Sequence, residues 1–183
     1  AVSAEQVLDS RYIIDQIRIL ETCVYTEGAC ALIFASKKGL ARLAGKMKQE
    51  PIWITGAACA NEPYFVGKDP KRHKVLHRIQ SDEIVAREAL KQARLTIDDI
   101  QVMELHDAFV PQLMITLAEM GVVPLGRAND LVEEGVIMPG GKVLLNPCGG
   151  LVFSGHFVGG SNMMSTWSIM REMKDRDLEH GLV

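Results

Sequence analysis

The chain has 183 residues, 48% of them apolar and 23% charged, with a net charge of −3 at pH 7. That length suits one large domain or one and a half, and that charge gives no footing for nucleic acid or an anionic membrane surface. Cys23, Cys30, Cys59 and Cys148 are widely spaced with no CxxC pair, which argues against a zinc ribbon or a disulfide framework, and no metal site is expected. The expectation is a protein of the reducing cytoplasm, with neither membrane span nor leader.

Ser3 to Leu8 reads as a short helix, capped by Ser3 with Gln6 in the capping-box position. Ile17 to Leu20 is a short extended segment and Thr26-Glu27-Gly28 a turn. Ala29 to Ala35 is a continuous apolar run of strand length, the pattern of a strand covered on both faces. Ser36 caps a following helix with Leu40, Leu43 and Ala44 on one side, and Ile52 to Thr55 is a second strand ended by Gly56. Residues 61–80 are polar and irregular, with Lys68, Lys71, Arg72, Lys74 and Arg78 crowded beside His73 and His77. A solvated loop is the expected reading; a site for coenzyme phosphates or an acidic partner face is the alternative.

Ser81 is expected to cap a helix with Asp82 and Glu83 in its first turn and Val85, Ala89 and Ala93 along one face. After a turn at Thr96 to Asp99, Gln101 to Leu105 is the third strand, followed by a helix with Phe109, Leu113, Leu117 and Met120 on one face, ending at Gly121. Residues 122–145 read as a long loop. The last helix presents Met163, Trp167 and Met170 on one side, and a charged tail runs from Lys174 to His180. The alternation of strands and helices predicts an α/β fold, a mainly parallel sheet of about three strands covered by helices. With no strand expected after the last helix, such a sheet leaves an apolar edge that calls for a partner surface.

Chemistry concentrates in two places. Between Asn146 and Gly160, the glycines Gly149, Gly150, Gly155, Gly159 and Gly160 surround His156. Glycine at that density implies sharp turns or close approach of another group, and so a loop offering an imidazole and backbone N–H groups to a reacting centre. A glycine-rich turn with a bystander histidine remains the alternative. His106 stands where a strand ends and a helix begins, the place where α/β sheets gather catalytic and binding groups, although a capping or core histidine would also sit there. Together the two imidazoles can polarise a carbonyl oxygen, or one can act as a base.

At these residues the chain resembles the thiolase family, most closely its sterol-carrier-protein type and the archaeal and bacterial relatives of that branch. His106-Asp107-Ala108-Phe109 resembles the HDCF/HDAF motif, Asn146-Pro147-Cys148-Gly149-Gly150 the NPSGG run, and Gly155-His156-Phe157-Val158-Gly159 the GHPxGATG signature. Thr26-Glu27-Gly28-Ala29-Cys30-Ala31-Leu32 is similar to the SDGAAAL segment that opens the C-terminal half. The resemblance implies that residues 1–28 are a linker or the end of an N-terminal half, and that 29–183 are a C-terminal thiolase-like domain lacking its last strands. It implies an acyl-CoA acyltransferase, acting by Claisen condensation or thiolytic cleavage of a 3-oxoacyl-CoA. Coenzyme A then enters as part of the substrate and no cofactor is needed.

In that reading His156 activates a nucleophilic cysteine carried by a complementary N-terminal half, and His106 completes the oxyanion site. Gly155, Gly159, Gly160, Phe157, Ala108 and Phe109 line the substrate site. The implied assembly is a homodimer or hetero-oligomer, with a zinc-ribbon/OB-fold accessory subunit as a candidate partner. Ala108 replaces the cysteine of HDCF, Phe157 the proline of GHP, and Gly160-Ser161-Asn162 departs from ATG, which leaves one proton transfer without an assigned residue. Cys148 reads as a small loop-supporting residue rather than a nucleophile. A retro-aldol lyase on the same scaffold and a non-catalytic acyl-CoA-binding or scaffolding subunit are the rival functions.

Overall fold

The computed structural model describes residues 2–43, 45–48, 50–61 and 78–183. The basic stretch Lys68 to His77 therefore lies outside the described residues. Helix α1 (Ala4–Asp9) forms as its cap predicts: the Gln6 amide donates to Ser3 Oγ and the Gln6 side chain accepts from the Ser3 amide. A small antiparallel ribbon follows, β1 (Tyr12–Ile14) with β2 (Ile17–Arg18), and the chain turns into one 3-10 turn at Ile19–Glu21 rather than staying extended to Leu20. Helix α2 (Lys37–Arg42) begins at Ser36, whose hydroxyl accepts from the Gly39 amide.

The sheet that organises the fold has the order β4–β3–β5, all parallel, from β3 (Val102–Met103), β4 (Leu144–Leu145) and β5 (Gly181–Leu182). Backbone bonds extend it at both ends, from the Gln101 amide to the His180 carbonyl and from the Asn146 amide to the Met103 carbonyl. Because successive residues of a strand face opposite ways, Val102 and Met103 enter different cores. Met103 packs with Ile100, Leu105, Leu117, Val123, Leu131 and Val143, under α4 (Val110–Glu119) and α5 (Ala128–Glu133). Val102 packs with Ile169 and Met173 of α7 (Ser161–Asp175). Helices thus cover both faces of an α/β sheet, as expected.

Helix α3 (Gln80–Ala93) is tied to α4 at its start: Thr116 Oγ1 donates to Asp82 and the Arg78 guanidinium grips buried Glu119 at 2.6 and 2.5 Å. Its N-cap position is Ile79, so Ser81 sits inside the first turn and does not cap it. Lateral bonds to α4, rather than a hydroxyl cap, fix where this helix starts.

The strand assignments are where the structure departs most from expectation. Of the three strands expected from sequence, only Gln101 to Leu105 contributes to the sheet, through Val102–Met103. Ala29 to Ala35 and Ile52 to Thr55 are not strands; Ile33 is 96% exposed and Trp53 and Ile54 are also exposed. Apolar runs need cover, but a strand also needs a ladder partner, and neither run has one among the described residues. Conversely, residues 122–145 contain α5 and β4, and β5 follows α7, so a strand does come after the last helix. The buried side of α7 carries Ser161, Ser165, Ser168, Ile169 and Met173, while Trp167, on the apolar side marked out from sequence, is 48% exposed. Serines let α7 approach the sheet more closely than methionines and tryptophan would. Among the described residues no helix is long and apolar enough to cross a membrane.

Candidate functional site

His106 leaves the C-terminal end of β3, and His156 follows the short helix α6 (Gly150–Ser154). Fifty residues apart in the chain, their rings meet edge to face with centroids 5.0 Å apart. Three side chains, Asn146, Glu104 and Asp107, tie the two loops together. Asn146, at φ +44, stands in for a strand residue: its Oδ1 accepts from the Leu105 amide at 2.7 Å and its Nδ2 donates to the Leu105 carbonyl at 3.1 Å. Buried Glu104 accepts from the Cys148 amide at 3.0 Å, the Cys148 thiol at 3.1 Å and Ser168 Oγ at 2.8 Å. Buried Asp107 accepts from the Leu151 amide at 2.6 Å and so caps α6. Glycine is required opposite it, because a Cβ on Gly150 would lie 2.0 Å from Asp107 Oδ2 at φ +61.

A strip from Thr22 to Thr26 joins the histidine loops from the other side. The Cys23 amide donates to the Ala108 carbonyl, the His156 amide to the Val24 carbonyl, and the Thr26 amide to the His156 carbonyl. Isolated bridges pair Thr22 with Phe109 and Tyr25 with His156. The Tyr25 ring stacks on the His156 ring at 5.9 Å. Gly155, at φ +85, is buried against Thr26, whose side chain would block any Cβ there.

The electrostatics give the imidazoles different characters. His106 has its pKa lowered from 6.5, first by partial desolvation of the ring and second by neighbouring His156; Asp107, a hydrogen bond with Asn162 and Asp82 oppose the shift. His106 is therefore a neutral hydrogen-bond donor near pH 7. His156 Nδ1 lies 2.7 Å from Ser161 Oγ, and that hydroxyl donates to the Phe157 carbonyl at 3.2 Å. With its only proton on that carbonyl, Ser161 accepts from Nδ1–H and leaves the lone pair on His156 Nε2, the state a base requires. The thiols beside the site are held protonated: burial and then Glu104 raise the Cys148 pKa, and burial and then Asp107 raise that of Cys23. A thiol donating to a buried carboxylate is not an activated nucleophile, consistent with Cys148 as loop support.

Of the proposed substrate-lining residues, Phe157 is half-buried between Gly28 and Gly160, either of which would strike its ring if it bore a Cβ. With Gly28, Ala29, Cys30, Ala31, Met164 and Trp167 it lines an open apolar groove of about 370 Å³. Phe109 is 47% exposed and Gly159 lies in open space. Ala108 is buried and takes part through its carbonyl. Sequence reasoning missed Glu104, Tyr25 and Asn162. Only Glu104 carried a signal, a carboxylate within a strand otherwise fit for burial.

Known proteins resemble this chain in sequence and in fold. The family model described as "Thiolase C-terminal domain-like" matches residues 72–179. Sterol carrier protein 2 of Bos taurus is 32% identical over 163 residues, covering 88% of this chain and 29% of its own. The acetyl-CoA acetyltransferase of Methanothermobacter thermautotrophicus is 28% identical, covering 97% of this chain and 45% of its own. The 17-hydroxy-3-oxo-4-pregnene-20-carboxyl-CoA lyase of Mycobacterium tuberculosis is 32% identical, covering 81% and 38%. The solved "Ltp2-ChsH2(DUF35) aldolase" shares the fold, with a TM-score of 0.77 at 20% identity over 97% of this chain and 45% of that one. The chain thus spans less than half the length of each of these proteins.

Proposed function

The chain belongs to the thiolase C-terminal domain-like family, and from that premise we propose that it forms the histidine-bearing part of a thiolase-like acyltransferase acting on 3-oxoacyl-CoA. The observation that supports this reading is the meeting of His106 and His156 at 5.0 Å, one a neutral donor and the other with Nε2 free to accept a proton. His156 takes the proton of a cysteine supplied by a complementary half. The thiolate attacks the 3-oxo carbon and the C2–C3 bond breaks, leaving an acyl-cysteine, while the bond's electron pair departs as the enolate of the remaining acyl-CoA and takes up a proton. The incoming coenzyme A thiol then releases the acyl group, and Claisen condensation is the same sequence in reverse. His106 donates its N–H to the oxygen on which charge develops, as a neutral imidazole does where an imidazolium would protonate the enolate outright. Assembly with that half, as a homodimer or with a further accessory subunit, belongs to the same proposal. So does a cytoplasmic location.

Replacing His156 with Ala in the complete enzyme is expected to abolish formation of the acyl-cysteine, read by mass spectrometry of the intact protein, while the unfolding midpoint moves little. Full acylation in that variant refutes the role of His156. A second reading, a retro-aldol lyase on the same scaffold, is favoured by the 32% identity with the M. tuberculosis lyase. Release of an aldehyde or ketone with no acyl-cysteine selects it. A complex that binds no acyl-CoA and is indifferent to both histidines is a scaffold.

A further inference from the structure

Helix α7 opens with a buried polar residue held against one of the two imidazoles. Ser161 is 2% exposed and its hydroxyl stands between His156 Nδ1 at 2.7 Å and the Phe157 carbonyl at 3.2 Å. The backbone around it is fixed from both directions: Gly160 at the N-cap closes on the Phe157 carbonyl, and the Met163 and Met164 amides donate to the Gly160 carbonyl. Ser168, two turns further along α7, is bonded to Glu104 at the end of the strand that delivers His106. One helix therefore touches the His156 imidazole and the strand end that carries His106.

We propose that Ser161 is a positioning residue of this site, holding His156 in its Nδ1–H form. The inference rests on the reading of the two histidines as the reacting groups and adds how the state of one of them is set. Ser161 acts through a ring nitrogen, and it serves because its single proton is already committed to the Phe157 carbonyl, so it is an acceptor to the imidazole.

The test reads the rings directly, so it does not depend on turnover. In the full protein carrying 15N-labelled histidine, the tautomer of each ring is measured by two-bond nitrogen–proton correlation. Wild-type His156 is expected in the Nδ1–H form. Ser161→Ala should move it to the Nε2–H form, with Ser161→Thr, which keeps the hydroxyl, restoring Nδ1–H. An unchanged His156 tautomer in Ser161→Ala overturns the proposal. If the His156 ring responds but acyl transfer is absent from the wild type, the positioning role stands and the acyltransferase reading falls. Where acyl transfer is present, Ser161→Ala should lower kcat by at least about tenfold, a share of the roughly 10²- to 10⁴-fold a placed base contributes, with little change in KM.

Discussion

Replacing Gly150 with Ala tests whether the two histidine loops are locked to each other. Gly150 sits at φ +61, and an added Cβ would lie 2.0 Å from Asp107 Oδ2 and 2.6 Å from its Cγ. Alanine in the left-handed region costs about 1–2 kcal/mol. The clash also forces Asp107 off the Leu151 amide, and losing a buried charge-assisted bond costs about 1.5–3 kcal/mol. The expected loss is about 2.5–5 kcal/mol, read by urea unfolding, together with displaced His106 ring resonances. Gly121→Ala is the control: Gly121 has φ +82 and nothing within 4 Å of its Cβ position, so it registers the backbone cost alone. In an Asp107→Ala background the cost of Gly150→Ala should shrink toward that control, because the clashing carboxylate is gone. A Gly150→Ala loss no larger than the Gly121→Ala loss, or the same loss with and without Asp107, refutes the lock.

Asn146→Ala removes both side-chain bonds to Leu105 and places alanine at φ +44, so denaturation should report a loss of about 2–4 kcal/mol. Cys148→Ala takes a donor from buried Glu104 and should cost about 1–3 kcal/mol, whereas Cys148→Ser keeps the donor and should restore most of it. With its pKa raised, Cys148 should also react with iodoacetamide at pH 7.5 more slowly than exposed Cys59, measured by peptide mass spectrometry. His106 has its folded pKa below 6.5, so between that value and 6.5 the unfolded chain binds more protons. Stability should fall as pH drops through this window, and His106→Gln should flatten that part of the pH–stability curve.

The sequence carried the site better than it carried the sheet. Turn glycines and two histidines at element ends signalled the two histidine loops, because left-handed turns and exposed strand ends demand particular residue types. Cap chemistry was equally legible at Ser3 and Ser36, where the side-chain bond is local. Strand assignment failed where it depended on distant neighbours. Ala29 to Ala35 has the composition of a covered strand, yet pairing is a property of two segments, and no second one lies against it among the described residues. Leu144–Leu145 and Gly181–Leu182 are too short for periodicity to find; they are strands because β3 lies between them. Ser81 failed for a related reason, since ties from Asp82 and Arg78 to α4 place the start of that helix. Tyr25 and Asn162 had no local signature at all, because each matters only through a ring that arrives from elsewhere in the chain.

The strip at Thr22 to Thr26 has one more consequence. The Ala108 loop is read by Cys23 and the His156 loop by Val24, adjacent residues of an extended backbone. An extended residue advances the chain by about 3.3 Å, so the gauge between the two imidazole carriers is a single peptide step borrowed from a segment that holds neither of them. Substitutions within either histidine loop can reshape what the cleft admits while that gauge stays put. One residue inserted between Cys23 and Val24 would reset it by a full step.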